Sequence, residues 1–276
     1  MLLDIRHETL YRYATPATYS IQYLRLTPRT DGGQRVRHWR IDAPGRSWRQ
    51  TDAFGNLVQT MSIIEPHSEV RVMVHGQVET ADERGTLLPE DSAVPPIAFA
   101  LPTSLTEPDA ALRALAFECF GSGDSRSATP AQLEKLAEMV HERVPYAQGS
   151  TDVHATAATA WAQGAGVCQD MAHVFLAACR AASVPARYIS GYVFDDHGRS
   201  TSHAWAEAWV ADAQRGAGAW QGFDIANKRM SGPELVRLAV GRDYLDAGPV
   251  RGARLGGTDE EMTVSVSVNA VVVAPR

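Results

Sequence analysis

Gly164-Ala165-Gly166-Val167-Cys168-Gln169-Asp170-Met171-Ala172-His173-Val174-Phe175-Leu176-Ala177-Ala178-Cys179-Arg180 is the stretch that decides the fold. Cys168, Met171, Ala172, Phe175, Leu176, Cys179 and Ala182 recur on one face at helical spacing, so a largely buried helix begins at or near Cys168. The glycines ahead of it permit close backbone approach and leave room above the first turn. Ser183-Val184-Pro185 closes the helix. Residues 186–194, 202–210 and 220–224 then read as strands, the first two joined by a polar tip, Asp195-Asp196-His197-Gly198-Arg199. A buried helix followed by strands places the chain in the α+β class, with a helix packed on an antiparallel sheet.

Upstream, the period changes to two. Leu3, Ile5, His7, Thr9, Tyr11 and Tyr13 share one parity, and Val70, Val72, Val74, Gly76 and Val78 repeat the pattern. Further strands are expected over 18–26, 36–42 and 56–64, with Asp52-Ala53-Phe54-Gly55-Asn56 as a turn. Residues 1–85 are therefore expected to form an N-terminal antiparallel β domain, a small sandwich or meander. Pro89, Pro95, Pro96, Pro102 and Pro108 defeat a regular element over 86–108, which reads as a proline-rich linker. Residues 109–276 form the expected second domain. There, Leu112, Leu115 and Ala116 mark a short helix ended by Gly121-Ser122-Gly123. Thr129-Pro130 caps another that carries Leu133, Leu136, Ala137 and Val140 and stops before Pro145. Residues 262–273 alternate again and read as a last strand.

Composition narrows the function. The chain has 276 residues, 45% hydrophobic and 21% charged, enough to bury a core without disulfides or structural metal. A net charge of −6 offers no basic field for nucleic acid. No apolar run approaches the roughly 20 residues of a membrane helix. The first eight residues acquire charge at once, with no signal-peptide core, so a cytoplasmic protein without membrane partners is expected. The three cysteines, Cys119, Cys168 and Cys179, form no C-x-x-C pair and no zinc spacing. No metal or cofactor is expected, and each thiol is either packing or a nucleophile.

A thiol attacks as its thiolate, which a helix N-terminus and a nearby imidazolium both favour. Cys168 has the first device, and its backbone N–H is placed to face an oxyanion. Cys179, three turns along the same apolar face, and Cys119, between Glu118 and Phe120, read as packing thiols. His203 opens a strand after a polar loop and can point across at the helix start. His173 lies about 140° around the helix from Cys168 and cannot. Asp224 ends an aromatic-rich strand, where a buried carboxylate needs a hydrogen-bond partner. An imidazole N–H supplies one, giving a nucleophile, base and orienter in the order Cys168, His203, Asp224.

Those blocks carry a resemblance. Gly166-Val167-Cys168-Gln169-Asp170-Met171-Ala172, Val184-Pro185-Ala186-Arg187-Tyr188-Ile189-Ser190-Gly191-Tyr192, His203-Ala204-Trp205-Ala206-Glu207 and Trp220-Gln221-Gly222-Phe223-Asp224 resemble the transglutaminase-like superfamily. The β-rich start resembles the N-terminal domain of its bacterial members, and Asp243-Tyr244-Leu245-Asp246 and Pro249-Val250-Arg251-Gly252 are similar to that subgroup. The resemblance implies a papain-like core with Cys168 as nucleophile, His203 as base and Asp224 as orienter. Ile225-Ala226-Asn227 departs from the proline and threonine of many relatives. Around the triad, Trp161 and Gln163 are candidates for a second oxyanion donor, against simple packing of a helix end. Gln169 and Tyr244 are candidates for the cleft. Trp205 and Trp209 share the parity of His203 and either line the cleft or pack in the core. Asp170 serves the N–H groups of the helix's first turn, and Lys228-Arg229 reads as a solvated pair.

The expected function is a cysteine-dependent acyl transfer on a peptide or protein amide through a thioester, resolved by water as in a protease or amidase. The alternatives are a glutamine-crosslinking transglutaminase and a non-catalytic binding protein that retains the fold. A metal site from Cys168, His173 and His203 fails on spacing.

Overall fold

Period-two patterning at the N-terminus extends into a 26-residue strand, β1 (Leu2–Thr27). It is followed by β2 (Gln34–Asp42), β3 (Arg46–Thr51), β4 (Leu57–Ile63) and β5 (His67–Thr80). The computed structural model describes every residue except 31–32, 83, 85–87, 89–92, 123–126, 197–200, 213–216 and 272–276. The first half of β1 pairs with β5, and the second half with β4. The register against β5 breaks between Arg12 and Ala17. Pro16, which has no N–H to give to a ladder, lies inside that break. The turn expected at 52–56 is present: the Asp52 carboxylate accepts the N–H groups of Phe54 and Asn56, both at 3.0 Å.

The described residues of the span 86–108 do more than link. A single 3-10 turn, Pro96–Ala100, buries Phe99 completely, and Leu88 pairs with Trp220. Helices follow: α1 (Ala110–Phe120), α2 (Pro130–Arg143), α3 (Ala157–Gln163) and α4 (Cys168–Ala181). Asp109 caps α1, which ends at Gly121 with φ 77°. Thr129 and Gln132 form a capping box on α2 with Pro130 in its first turn. Residue 123 of the expected helix stop lies outside the described residues, as do 197–199 of the expected hairpin tip.

The second sheet orders as β10-β6-β7-β8-β9. Its strands are β6 (Ala186–Val193), β7 (Thr201–Asp212), β8 (Ala217–Asp224), β9 (Arg229–Met230) and β10 (Leu235–Gly241). Helix α4 lies on this sheet. Its Met171, Phe175, Leu176 and Cys179 pack against Ala204, Ala206 and Ala208 of β7, whose small side chains let the helix approach. A short helix, α5 (Tyr244–Ala247), leads to β11 (Val250–Gly256) and β12 (Glu261–Ala270).

The tail then returns to the start. β12 pairs with the first half of β1 and β11 with the second, making a seven-stranded first sheet. The last strand expected over 262–273 is thus β12, with 272–273 outside the described residues. A division at 109–276 does not follow the sheets, because 250–270 belong to the first one. Period-two alternation says which face is buried but not which strand is the neighbour. The two sheets meet through one core, in which Leu3, Ile5, Val72 and Val268 pack on Tyr192, Val236 and Leu238. No helix among the described residues is long and apolar enough to cross a membrane.

Candidate active site

Cys168 is the first residue of α4 and half-buried. The loop that presents it is tied down from inside. The Asp170 carboxylate accepts the Val167 N–H at 2.7 Å and the Thr151 hydroxyl at 2.6 Å. Burial raises the Asp170 carboxyl above its ordinary value, although both hydrogen bonds pull the other way. Gly166 lies so close that a Cβ there would sit 2.7 Å from the Cβ of Asp170, which is why the loop before the cysteine carries glycine.

His203 stands near the start of β7, and Asp224 at the end of β8. His203 Nε2 donates to Asp224 Oδ1 at 2.7 Å, with Asp224 fully buried. The other carboxylate oxygen of Asp224 accepts from Asn227 Nδ2 at 2.7 Å and Arg229 Nε at 3.2 Å. Cys168 lines the same cleft as the imidazole, and its interaction with the ring acts to raise the ring's pKa. With Nε2 committed to Asp224, Nδ1 is the ring nitrogen left for sulfur. Burial works to lower the His203 pKa, but the hydrogen bond to Asp224 and the interactions with Asp224 and Cys168 outweigh it and push the ring up to about 10. Burial would raise the Asp224 carboxyl, yet His203, Asn227 and Arg229 hold it below the ordinary range.

The sequence-predicted residues divide accordingly. Cys168, His203 and Asp224 come together. Gln169 and Tyr244 line the cleft beside them. Trp205 does not line it: it is 2% exposed, packs in the core with Phe99 and Trp220, and stacks behind His203 at 6.1 Å and 24°. Trp209 packs on the same core. Trp161 and Gln163 are drawn elsewhere. Arg143 lies 5.8 Å over the Trp161 ring, and the Gln163 amide donates to the Ser150 carbonyl at 3.1 Å. His173 is fully buried, and its Nε2 accepts the Tyr244 N–H at 3.2 Å. Burial and the Arg180 charge lower its pKa to about 3, so it is neutral. Lys228-Arg229 is only half the solvated pair expected. Lys228 bonds Glu138 at 2.8 Å, while Arg229 supports Asp224.

The cleft has a volume of about 270 Å³ and two walls. One comes from the second sheet and α4. The other is the face of the first sheet, with His7, Thr9 and Tyr11 of β1 and Met262 and Val264 of β12. His7 bonds Tyr192 Oη at 2.8 Å and Thr9 Oγ1 at 2.9 Å, and burial lowers it to about 4. Sequence reasoning missed this wall, along with Asn227, Arg229 and Tyr188. The only available signal for Asn227 and Arg229 was their nearness to Asp224.

Residues 3–79 match the bacterial transglutaminase-like N-terminal region, and residues 113–225 match the transglutaminase-like superfamily. An uncharacterised protein of Mycobacterium leprae is 30% identical over 284 residues, spanning 96% of this chain and 98% of its own. The chain belongs to the transglutaminase-like superfamily. An uncharacterised Mycobacterium tuberculosis protein is 29% identical over 289 residues, 97% of this chain and 91% of its own. A candidate cysteine protease from Cytophaga hutchinsonii has the same fold, with a TM-score of 0.75 at 23% identity over 100% of this chain and 93% of that one. Family and fold are those of cysteine-dependent enzymes. The superfamily match spans Cys168, His203 and Asp224, whereas Tyr244, Met262 and Val264 lie beyond it.

Proposed function

We propose that this protein is a cysteine acyl-transfer enzyme that hydrolyses a peptide or protein amide through a thioester on Cys168. The observation that carries the reading is the His203 imidazole, bonded to the buried Asp224 carboxylate and sharing one cleft with the Cys168 thiol at the start of α4. That imidazole is the base that takes the thiol proton as sulfur attacks. The thiolate adds to the amide carbon, the C–S bond forms, and the carbonyl electron pair moves to oxygen. The Cys168 N–H, an orphan donor of the first turn of α4, faces that oxygen. The intermediate then collapses. The C–N bond breaks, and the nitrogen leaves as an amine carrying the proton from His203. Water, deprotonated by His203, adds to the thioester and returns the thiolate. Asp224 fixes the ring so that one tautomer serves both halves.

Hydrolysis is preferred because an amine beats water only when it is held in attack geometry. Mass spectrometry after incubation with a library of peptides and amides tests the first half. An acyl adduct on Cys168 is expected, and its absence across the library would count against the reading. Product analysis with a glutamine peptide and a lysine analogue tests the second. Free glutamate is expected in excess, and Cys168-dependent amide adduct in excess would make the protein a crosslinking enzyme.

A further inference from the structure

Tyr188 belongs to β6 and is 1% exposed. Its ring packs 5.2 Å from His173 and 6.4 Å from Tyr244, and it lines the cleft with Cys168. Its hydroxyl hydrogen-bonds to none of the described residues. The hydroxyl is not enclosed by protein and opens on the cleft, although the rest of the side chain is buried. Tyr192, four residues along the same strand, is placed differently: its hydroxyl is bonded to His7 at 2.8 Å. Tyr188 therefore brings an uncommitted O–H to the wall of the cleft that holds the thiol.

We infer that Tyr188 is a catalytic residue, whose hydroxyl donates a hydrogen bond to the oxyanion formed when Cys168 adds to a carbonyl. The inference rests on the function proposed above. The oxyanion sits on the carbon bonded to sulfur, so its donor must stand beside the thiol without bonding to it. Tyr188 does so: it lines the same cleft as Cys168, with no hydrogen bond between the two side chains. Burial, helped by the charge of Cys168, holds the phenol well above its ordinary pKa, so it donates without losing its proton. With the Cys168 N–H it makes a pair of donors, the role for which Trp161 and Gln163 are poorly placed. No covalent bond of Tyr188 changes during the step.

The test compares two reactions at one sulfur. p-Nitrophenyl acetate acylates Cys168 through an oxyanion and releases p-nitrophenolate. Iodoacetamide alkylates it by displacement at saturated carbon, with no oxyanion. Tyr188→Phe is expected to slow single-turnover acylation on the order of 100-fold, the usual effect of losing one such donor. Alkylation should keep its rate. Unchanged acylation, or an equal fall in both rates, would overturn the assignment and leave Tyr188 structural. If Tyr188→Phe fails to fold, 3-fluorotyrosine at position 188 keeps the volume and strengthens the donor. It should raise the ratio of acylation to alkylation, and an unchanged ratio overturns the assignment. A wild-type protein that is alkylated at Cys168 but never acylated would instead overturn the proposed function, before any variant is compared.

Discussion

Three thiols share one chain, and their surroundings set them apart. Cys179 is fully buried, and burial pushes its thiol far up, with Arg180 opposing only in part. Cys119 is pushed up to about 11 by burial and packs 3.7 Å from the sulfur of Met139. Cys168 alone combines partial exposure with an imidazole partner. Iodoacetamide at pH 7.5 should modify Cys168 well before the other two, as read by peptide mapping; equal labelling of all three would discard the nucleophile. Asp224→Asn should leave a folded protein with acylation slowed at least about 100-fold, since an amide can favour the wrong imidazole tautomer. The same variant has a stability signature. His203 rises from its ordinary 6.5 to about 10 in the folded protein, so its bound proton stabilises fully below 6.5. That stabilisation fades as pH climbs toward 10. Asp224, held low, contributes above the ordinary carboxylate range and loses its contribution as pH falls through its folded value. Melting temperature in the wild type should therefore fall between pH 6.5 and 10 on this account, and Asp224→Asn should flatten that slope. A slope identical in both proteins would show that the pair does not govern alkaline stability.

The elements that present these groups were legible to different degrees. α4 and β7 are buried on nearly every side, yet both were readable: the larger apolar residues of α4 recur at the helical period, and β7 follows a polar tip. β6 and β10 are buried along their whole length, so neither alternates; β6 was found through its flanking turn signals and β10 was missed. β11, Val-Arg-Gly-Ala-Arg-Leu-Gly, was missed for the opposite reason, being exposed and without an apolar stripe. The candidate site could be read as Cys168, His203 and Asp224 because each stands near the end of a readable element. For Trp161, packing of a helix end is the alternative that holds: the ring packs on the core with Arg143 over it, because nearness in sequence to the cysteine does not fix where a ring points after the turn at Gly164. Within the second sheet, Gly191 lies opposite His203 on β6. A Cβ there would fall 2.0 Å from the Val236 carbonyl oxygen and 2.7 Å from the Trp205 ring, on which His203 stacks. Gly191→Ala should cost about 1–3 kcal/mol, the usual range for overpacking. It should also slow Cys168 alkylation by shifting the ring behind the base. Urea unfolding and alkylation rates check both effects, and an unchanged midpoint would show that β10 yields more easily than a paired strand should.

At the scale of the molecule, the cleft is a gap between two sheets, and the wall facing the thiol is built from both ends of the chain. Tyr11 and Met262 are direct partners across the β1–β12 ladder, and Thr9 and Val264 are the next pair on that face. Nothing in the local sequence joins them, which is why the wall was invisible while the three candidate residues were not. Met262 is 56% and Val264 46% exposed, an apolar patch that packing in the core does not use. An acyl group attached to Cys168 would lie against it. Burying each added methylene is worth about 0.8 kcal/mol at most, a factor of about four in kcat/KM. A series of p-nitrophenyl esters from acetate to hexanoate should therefore gain reactivity with chain length in the wild type. Val264→Lys sets a solvated charge in the wall without touching the thiol, the imidazole or the carboxylate, so it should flatten the dependence on chain length. The iodoacetamide rate, which needs no acyl pocket, should stay where it was. A variant whose chain-length dependence matches the wild type would show that the acyl group leaves the cleft by another direction, and that the first sheet supports the fold without reading the substrate.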